Sequence, residues 1–383
     1  MWLIPSAVYW SSLGFVGYTY AGYPLLIKAW SKLRPKAPLL GEGGEPRVSV
    51  VMAAHNEATQ IGRKLENLLD LEYPREKLQI IVIDDGSTDE TAQIIGSYSD
   101  QGVELVSLRN AVGKASAINQ GMLEADGDVI LFCDVRQRID PLALRSLLAA
   151  FADPKVGAVS GELVLESDQG PGVYWKYEKA IRGAESAVDS LVGATGALYA
   201  IRRALFRDLP DNALLDDVFT PMQIALQGYR VLLESNAKVF DREADVQGEF
   251  ARKARTLAGN YQILGQLPKL LNPIKNRLFF QYASHKLCRL LCPFALTTLF
   301  ASNIYLVATG APGWPFYVAT LTGQLGAYGL ALKGALDGDN AGKLARISYT
   351  FVALNAAAVE GLRRYLRGDF GWTTLKESDA ATQ

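Results

Sequence analysis

The sequence predicts an α/β protein with a mostly parallel central sheet and membrane helices at both ends. Three observations predict it. Between Arg47 and about Gly248, apolar runs rich in β-branched residues alternate with helical patterns. Repetition of strand and helix builds a parallel sheet covered on both faces. Residues 1–27 carry no charged residue, and neither does Leu290–Leu332. Each stretch is long enough for at least one span of ~20 apolar residues.

The elements follow in order. The N-terminal apolar stretch reads as one membrane helix, and Lys28, Lys32, Arg34 and Lys36 behind it place that end in the cytoplasm. A cleaved leader would carry its basic residues on the other side. Residues 1–36 are thus one region, and residues 37–46 form a Pro/Gly linker. The soluble domain is expected over 37–248. Its strands are expected at Val48–Ala53, Gln79–Asp84, Val103–Leu108, Asp128–Cys133 and Val156–Val159. Its helices are expected at Thr59–Leu69, Asp89–Tyr98, Lys114–Glu124 and Pro141–Ala152. Residues 249–286 read as interfacial helices and 287–383 as a membrane region of two to three helices. Gly310-Ala311-Pro312-Gly313 breaks the long apolar run into two of these. Ile347–Val359 is short for a span. Arg363, Arg364 and Arg367 behind it should be cytoplasmic, so either one C-terminal segment does not cross or the charge rule fails there.

Composition removes several functions. Lys and Arg total 39 against 40 Asp and Glu, so no bulk positive charge serves a nucleic acid. Cys133, Cys288 and Cys292 show no metal-ligand spacing, which fits a reducing compartment. Two histidines, His55 and His285, leave little room for a histidine metal site or a Ser-His-Asp triad. No G-x-G-x-x-G follows the first strand, which excludes a nicotinamide dehydrogenase.

Several turns carry chemistry. Val48–Ala53 runs into Ala54-His55-Asn56-Glu57, a polar turn opening a helix, where backbone amides can receive a nucleotide. Asp84 and Asp85 end a buried strand and can accept hydrogen bonds from a uracil N–H or from ribose hydroxyls; a helix cap would use one acid rather than two. Gly113-Lys114 opens a helix and suits an anion, or is a solvated first turn. Asp134 ends another buried strand and can hold a divalent cation or a ribose, or cap a turn. Downstream, the small residues of Gly193-Ala194-Thr195-Gly196-Ala197 let an acceptor approach the backbone. Asp216-Asp217 begins a helix. Arg252 and Arg255 suit a basic helix facing lipid headgroups equally well as a substrate.

In this order these turns resemble family 2 glycosyltransferases of the GT-A fold, over roughly Arg47 to Gly248. The flanking apolar segments are similar to the integral-membrane branch that includes cellulose and hyaluronan synthases. The family's P-A-Y-N-E stands here as Ala53-Ala54-His55-Asn56-Glu57, and its D-D-G-S-x-D is complete at Asp84–Asp89. The resemblance implies a Rossmann-like nucleotide-sugar-binding sheet. It implies that Ala53, His55, Glu57, Asp84, Asp85, Lys114 and Asp134 contact the donor, with Asp85 on the nucleobase. Of the D-x-D motif, Asp134 is kept and Arg136 replaces the second acid. Mg2+ or Mn2+ is the implied cofactor, with Asp134 its ligand. An acidic pair, often T-E-D, falls on Asp216-Asp217 and makes Asp217 the catalytic base. Thr195, Gly196, Asp216, Arg136, Arg252 and Arg255 are left for acceptor and diphosphate. Of Q-x-x-R-W, Arg255 matches, while Arg252 and Thr256 replace Gln and Trp.

The expected function is therefore inverting transfer from a nucleotide-diphosphate sugar, UDP-linked, to a glycan or lipid-linked acceptor in cell-surface polysaccharide synthesis. It would take place in a multi-pass inner-membrane protein with a cytoplasmic catalytic domain, in contact with membrane lipids. Two other readings share the residues: transfer of one sugar to polyprenyl phosphate, and a non-catalytic membrane scaffold.

Overall fold

A computed structural model describes residues 1–39, 41, 44–166, 172–242 and 246–369. The linker expected at 37–46 and the end of the last expected region lie partly outside them.

The chain opens with α1 (Leu3–Gly17), a π-helical turn (Tyr18–Gly22) and α2 (Tyr23–Leu33). The central sheet then begins. The elements are β1 (Val48–Ala54), α3 (Ile61–Leu69), β2 (Leu78–Asp84), α4 (Thr91–Gly96) and β3 (Val103–Ser107). Next come α5 (Lys114–Glu124), β4 (Val129–Cys133), β5 (Arg138–Ile139) and α6 (Ala143–Ala149). After them run β6 (Val156–Glu166), α7 (Val173–Val188), β7 (Leu198–Arg202), α8 (Asp216–Leu226) and β8 (Arg230–Arg242). The C-terminal part holds α9 (Val246–Gln266), α10 (Phe279–Tyr282), a second π-helical turn (Ala283–Leu287) and α11 (Cys288–Ala308). It closes with α12 (Trp314–Asp337) and α13 (Lys343–Arg367).

β1 is buried at every position, which is why it reads as a continuous apolar run without alternation. The sheet order is β3-β2-β1-β4-β7-β6-β8-β5. β3, β2, β1 and β4 are parallel. β7 then runs antiparallel to both β4 and β6, and β5 antiparallel to β8. The sheet is thus mixed, with β6 and β8 parallel and three antiparallel pairings beside the expected parallel ones. β7 re-enters beside β4 without a crossover in the parallel sense, and its register sets Leu198 opposite Cys133. That pairing brings the turn before β7 to the end of β4.

Two cores flank the sheet. One packs Ile61, Leu65 and Leu68 of α3 with Leu144, Leu147 and Leu148 of α6. The other packs Ala115 and Ile118 of α5 with Val218, Phe219 and Met222 of α8. Each fully buried leucine contributes roughly 1.5–3 kcal/mol.

Among the described residues, one helix is long and apolar enough to cross a membrane, Phe279–Ala308, which joins α10, the π turn and α11. The N-terminal helix lies along it: Ser12 Oγ is 2.9 Å from Thr298 Oγ1, and Tyr18 Oη is 2.6 Å from Ser284 Oγ. Tyr23 donates to Glu185 on α7 at 2.5 Å, and Glu185 also meets His285 Nδ1 at 2.8 Å. α13 lies against α9 so closely that a Cβ on Gly361 would sit 2.8 Å from the Ala258 nitrogen.

Candidate active site

The functional turns meet at the carboxyl edge of the parallel strands, where open α/β sheets bind ligands. Register explains the meeting. Ala54 pairs with Asp84, and Asp84 with Ser107, so the turns after β1, β2 and β3 are neighbours. Backbone and side chain then knit them. The Asp85 N–H donates to Ala54 O at 2.8 Å, and His55 Nδ1 lies 2.7 Å from Asp85 O. The Asn56 N–H donates to Ser87 Oγ at 2.9 Å, and the Glu57 N–H to Thr91 Oγ1 at 2.8 Å. Ala53 and His55 are buried behind this turn.

The two adjacent acids differ. Asp85 is fully buried, and its carboxylate accepts the Val112 N–H at 2.7 Å and the Gly113 N–H at 2.9 Å. It fixes the loop that presents Lys114. Asp84 is buried too, but its Oδ1 has no hydrogen-bond partner. Gly86 makes the contact possible. Its φ is +64°, and a Cβ there would lie 2.6 Å from Ala111 N.

Lys114 is the hub. Its ammonium lies 2.7 Å from Asp134 Oδ1 and 3.1 Å from Asp216 Oδ1. Burial alone would pull its pKa down, but Asp134 and Asp216 outweigh burial and hold it above the ordinary lysine value. Asp216 also accepts a hydrogen bond from Tyr199 at 3.3 Å. Asp217, next to it at the start of α8, accepts the Gly196 N–H at 3.0 Å. Its pKa is pushed up to about 6 by burial and by Asp216, against the pull of Lys114 and Lys286. Thr195 and Gly196 thus stand beside Asp217, held by the Thr195 N–H on Ser160 Oγ at 3.0 Å.

The basic residues are placed unequally. Arg255 is charged by default, and its buried Nε has no partner. Burial lowers its pKa, while Asp216, Asp134 and Asp217 act on it in the opposite sense. Arg252 lies one helical turn earlier on α9, where its carbonyl accepts from Thr256. Arg136 is committed elsewhere: it pairs with buried Asp241 at 2.6 Å, and Gln137 donates to the same oxygen. The place of a second metal-ligating acid is therefore filled by an ion pair. No group of three metal-ligating side chains occurs among the described residues. The donor set fits a hard cation only as one carboxylate, Asp134, combined with phosphate oxygens brought by a ligand.

Lys64, Ser160, Arg182, Tyr199, Asp241 and Lys286 belong to this neighbourhood and carry no local signal in the sequence. Buried Lys64 of α3 donates to Gln137 O at 2.9 Å and props the turn after β4.

The chain is similar in sequence and fold to several known proteins. Residues 49–210 match the Glycosyl transferase family 2 model. The chain is 28% identical over 264 residues to "Probable glycosyltransferase YdaM" of Bacillus subtilis (strain 168), covering 61% of this chain and 60% of that protein. It is 27% identical over 248 residues to "Poly-beta-1,6-N-acetyl-D-glucosamine synthase" of Staphylococcus aureus (strain COL), covering 61% of this chain and 59% of that one. The chain thus spans about 60% of the length of the curated relatives it matches. Among solved structures, "Mannosyltransferase PcManGT from Pyrobaculum calidifontis in complex with GDP-Man and Mn2+" superposes with a TM-score of 0.73 at 23% identity. That match covers 95% of this chain and 99% of the other, and it shows a shared fold. With its GT-A-like sheet and these similarities, the chain carries over residues 49–210 a region similar to the Glycosyl transferase family 2 domain.

Proposed function

We propose that the protein is a membrane-held, inverting transferase. It moves a sugar from a nucleoside diphosphate to a hydroxyl of a glycan or lipid-linked acceptor, with its catalytic domain on the cytoplasmic side. The observation that carries this reading is the meeting of Lys114, Asp134, Asp216 and Asp217, three distant stretches of chain, around one edge of the sheet.

The donor's base and ribose would lie over the turns carrying Ala53, His55, Glu57, Asp84 and Asp85. The unpaired Oδ1 of Asp84 is the acceptor available to a nucleobase or ribose donor. Asp85 acts by holding the loop before Lys114. As the sugar–oxygen bond breaks, negative charge builds on the diphosphate, and Lys114 and the free Nε of Arg255 stabilise it. Mg2+ or Mn2+ arriving with the diphosphate would be held by Asp134 and would add neutralising charge there. The acceptor sits against the Thr195-Gly196 backbone. Its hydroxyl gives its proton to Asp217 and attacks the sugar from the face opposite the leaving group. One displacement inverts the anomeric centre.

Membrane attachment is supported by exposed apolar side chains on α1, α2, α11 and α12, among them Ile4, Trp10, Leu26, Phe294, Trp314 and Leu332. Lys28, Lys32 and Arg34 mark the cytoplasmic end. α13, laid along α9, suits a segment that does not cross.

The test is to incubate detergent-purified protein with UDP- and GDP-sugars, with and without Mg2+ or Mn2+, and to measure released nucleotide. Release that is abolished in Asp217→Asn supports the assignment. Release equal in that variant removes Asp217 as the base. Product analysis then separates polymer from single-sugar lipid.

A further inference from the structure

Beside Asp217 the molecule encloses a cavity of about 220 Å³ between β6, α7, α9 and the helix Phe279–Ala308. It reaches the site through Thr195, and its far wall includes Leu290 and Leu354. Its charges do not balance. Of its two acids, Glu162 is taken by Lys179, and Glu178 by Arg289 at 2.5 Å. His285 bridges Glu178 and Glu185. Arg182 hydrogen-bonds only to neutral partners, Ser160 Oγ at 3.0 Å and Ala194 O at 3.4 Å, with Glu185 and Asp217 acting on it at longer range. The Lys286 side chain makes no hydrogen bond or ion pair among the described residues, and Glu178, Asp217 and Glu185 act on it only at longer range. Arg289 keeps buried Nε and Nη2 groups without a partner. Buried cations and donors left in this state are costly unless a ligand completes them. The π-helical turn Ala283–Leu287 carries Lys286. Such turns inside helices are frequent at functional sites.

We propose that this cavity binds the phosphate of a lipid-linked acceptor. The acceptor's reacting hydroxyl is then presented to Asp217, and its chain runs along the apolar wall of α11 and α13. This rests on the reading of Asp217 as the base. A neutral glycan would leave the Arg182 and Lys286 charges without an anion at hydrogen-bond distance. A free phosphate would leave the apolar wall unused.

Calorimetric titration tests the idea on the full chain, with UDP or GDP at saturation to fill the donor side. Farnesyl diphosphate, farnesol and inorganic pyrophosphate are the probes. Farnesyl diphosphate should bind at least about tenfold tighter than farnesol. Lys286→Gln and Arg182→Gln should each weaken it about tenfold with nucleotide affinity unchanged, and Lys286→Arg should restore it. Farnesol binding as tightly as the diphosphate overturns the proposal, and so does undiminished binding in both Gln variants. Pyrophosphate binding as tightly as farnesyl diphosphate, and lost in the same variants, overturns the lipid assignment. Absence of nucleotide release in the wild type would instead remove the catalytic reading while leaving this binding result intact.

Discussion

Asp217 sits in conflicting fields, and its titration reports them. Burial and Asp216 raise its pKa to about 6, while Lys114 and Lys286 pull it down. A base works in its ionised form, so activity should be lost as pH falls through about 6. At pH 5 the rate should be roughly a tenth of its plateau, read from a pH–rate profile. Lys114→Met removes a cation that favours ionised Asp217. The acid limb should therefore move to higher pH, and the donor KM should rise. Asp217→Asn should cost about 10²–10⁴ in kcat at an unchanged donor Kd. The acidic pairs themselves were legible in the sequence as adjacent carboxylates at element ends. Which member of Asp84-Asp85 is free was not legible. That depends on where the Val112 and Gly113 amides fall, and a loop closed by tertiary contact leaves no periodic trace.

Elements buried on both faces announced themselves. β1, β2 and β4 are continuous apolar runs, and the expected α5 matches the observed Lys114–Glu124. α7 and β8 gave no clear signal: α7 mixes charge into its apolar positions, and β8 outruns the apolar run at its start. The reversal at β7 was hidden as well, because an apolar strand does not state its direction. That reversal still decides the site, since it sets Leu198 opposite Cys133 and leaves Gly196 against Asp217. The contact of the β2 turn with the β3 turn is equally tight. Gly86→Ala would place a methyl 2.6 Å from Ala111 N in a left-handed backbone. Strain and overlap together should cost about 2–4 kcal/mol. The thermal midpoint should fall, and nucleotide binding should weaken as Lys114 shifts, both measurable with and without UDP or GDP.

On the scale of the molecule, the apolar ends were legible as uncharged stretches, whereas their docking onto the catalytic domain was not. Tyr23, Glu185 and His285 come from three separate segments and meet at one buried carboxylate. Tyr23→Phe would strip a donor from Glu185, whose Oε2 already lacks a partner. A loss of about 1–3 kcal/mol is expected, visible as a lower melting temperature in detergent. The protein should also remain in the membrane pellet after an alkaline carbonate wash, and release by that wash would argue against insertion. Lys36 completes the mounting. Its N–H donates to Ala187 O at 2.7 Å, its carbonyl accepts from Arg230 at 2.9 Å, and its ammonium pairs with Asp189 at 2.9 Å. Clamped there, the segment leaving α2 cannot serve as a slack leash. The protein is more like a lathe bolted to its bench than a tool on a cord: on the proposed reading, an acceptor would have to be fed to a stationary cutting edge rather than met by a swing of the domain.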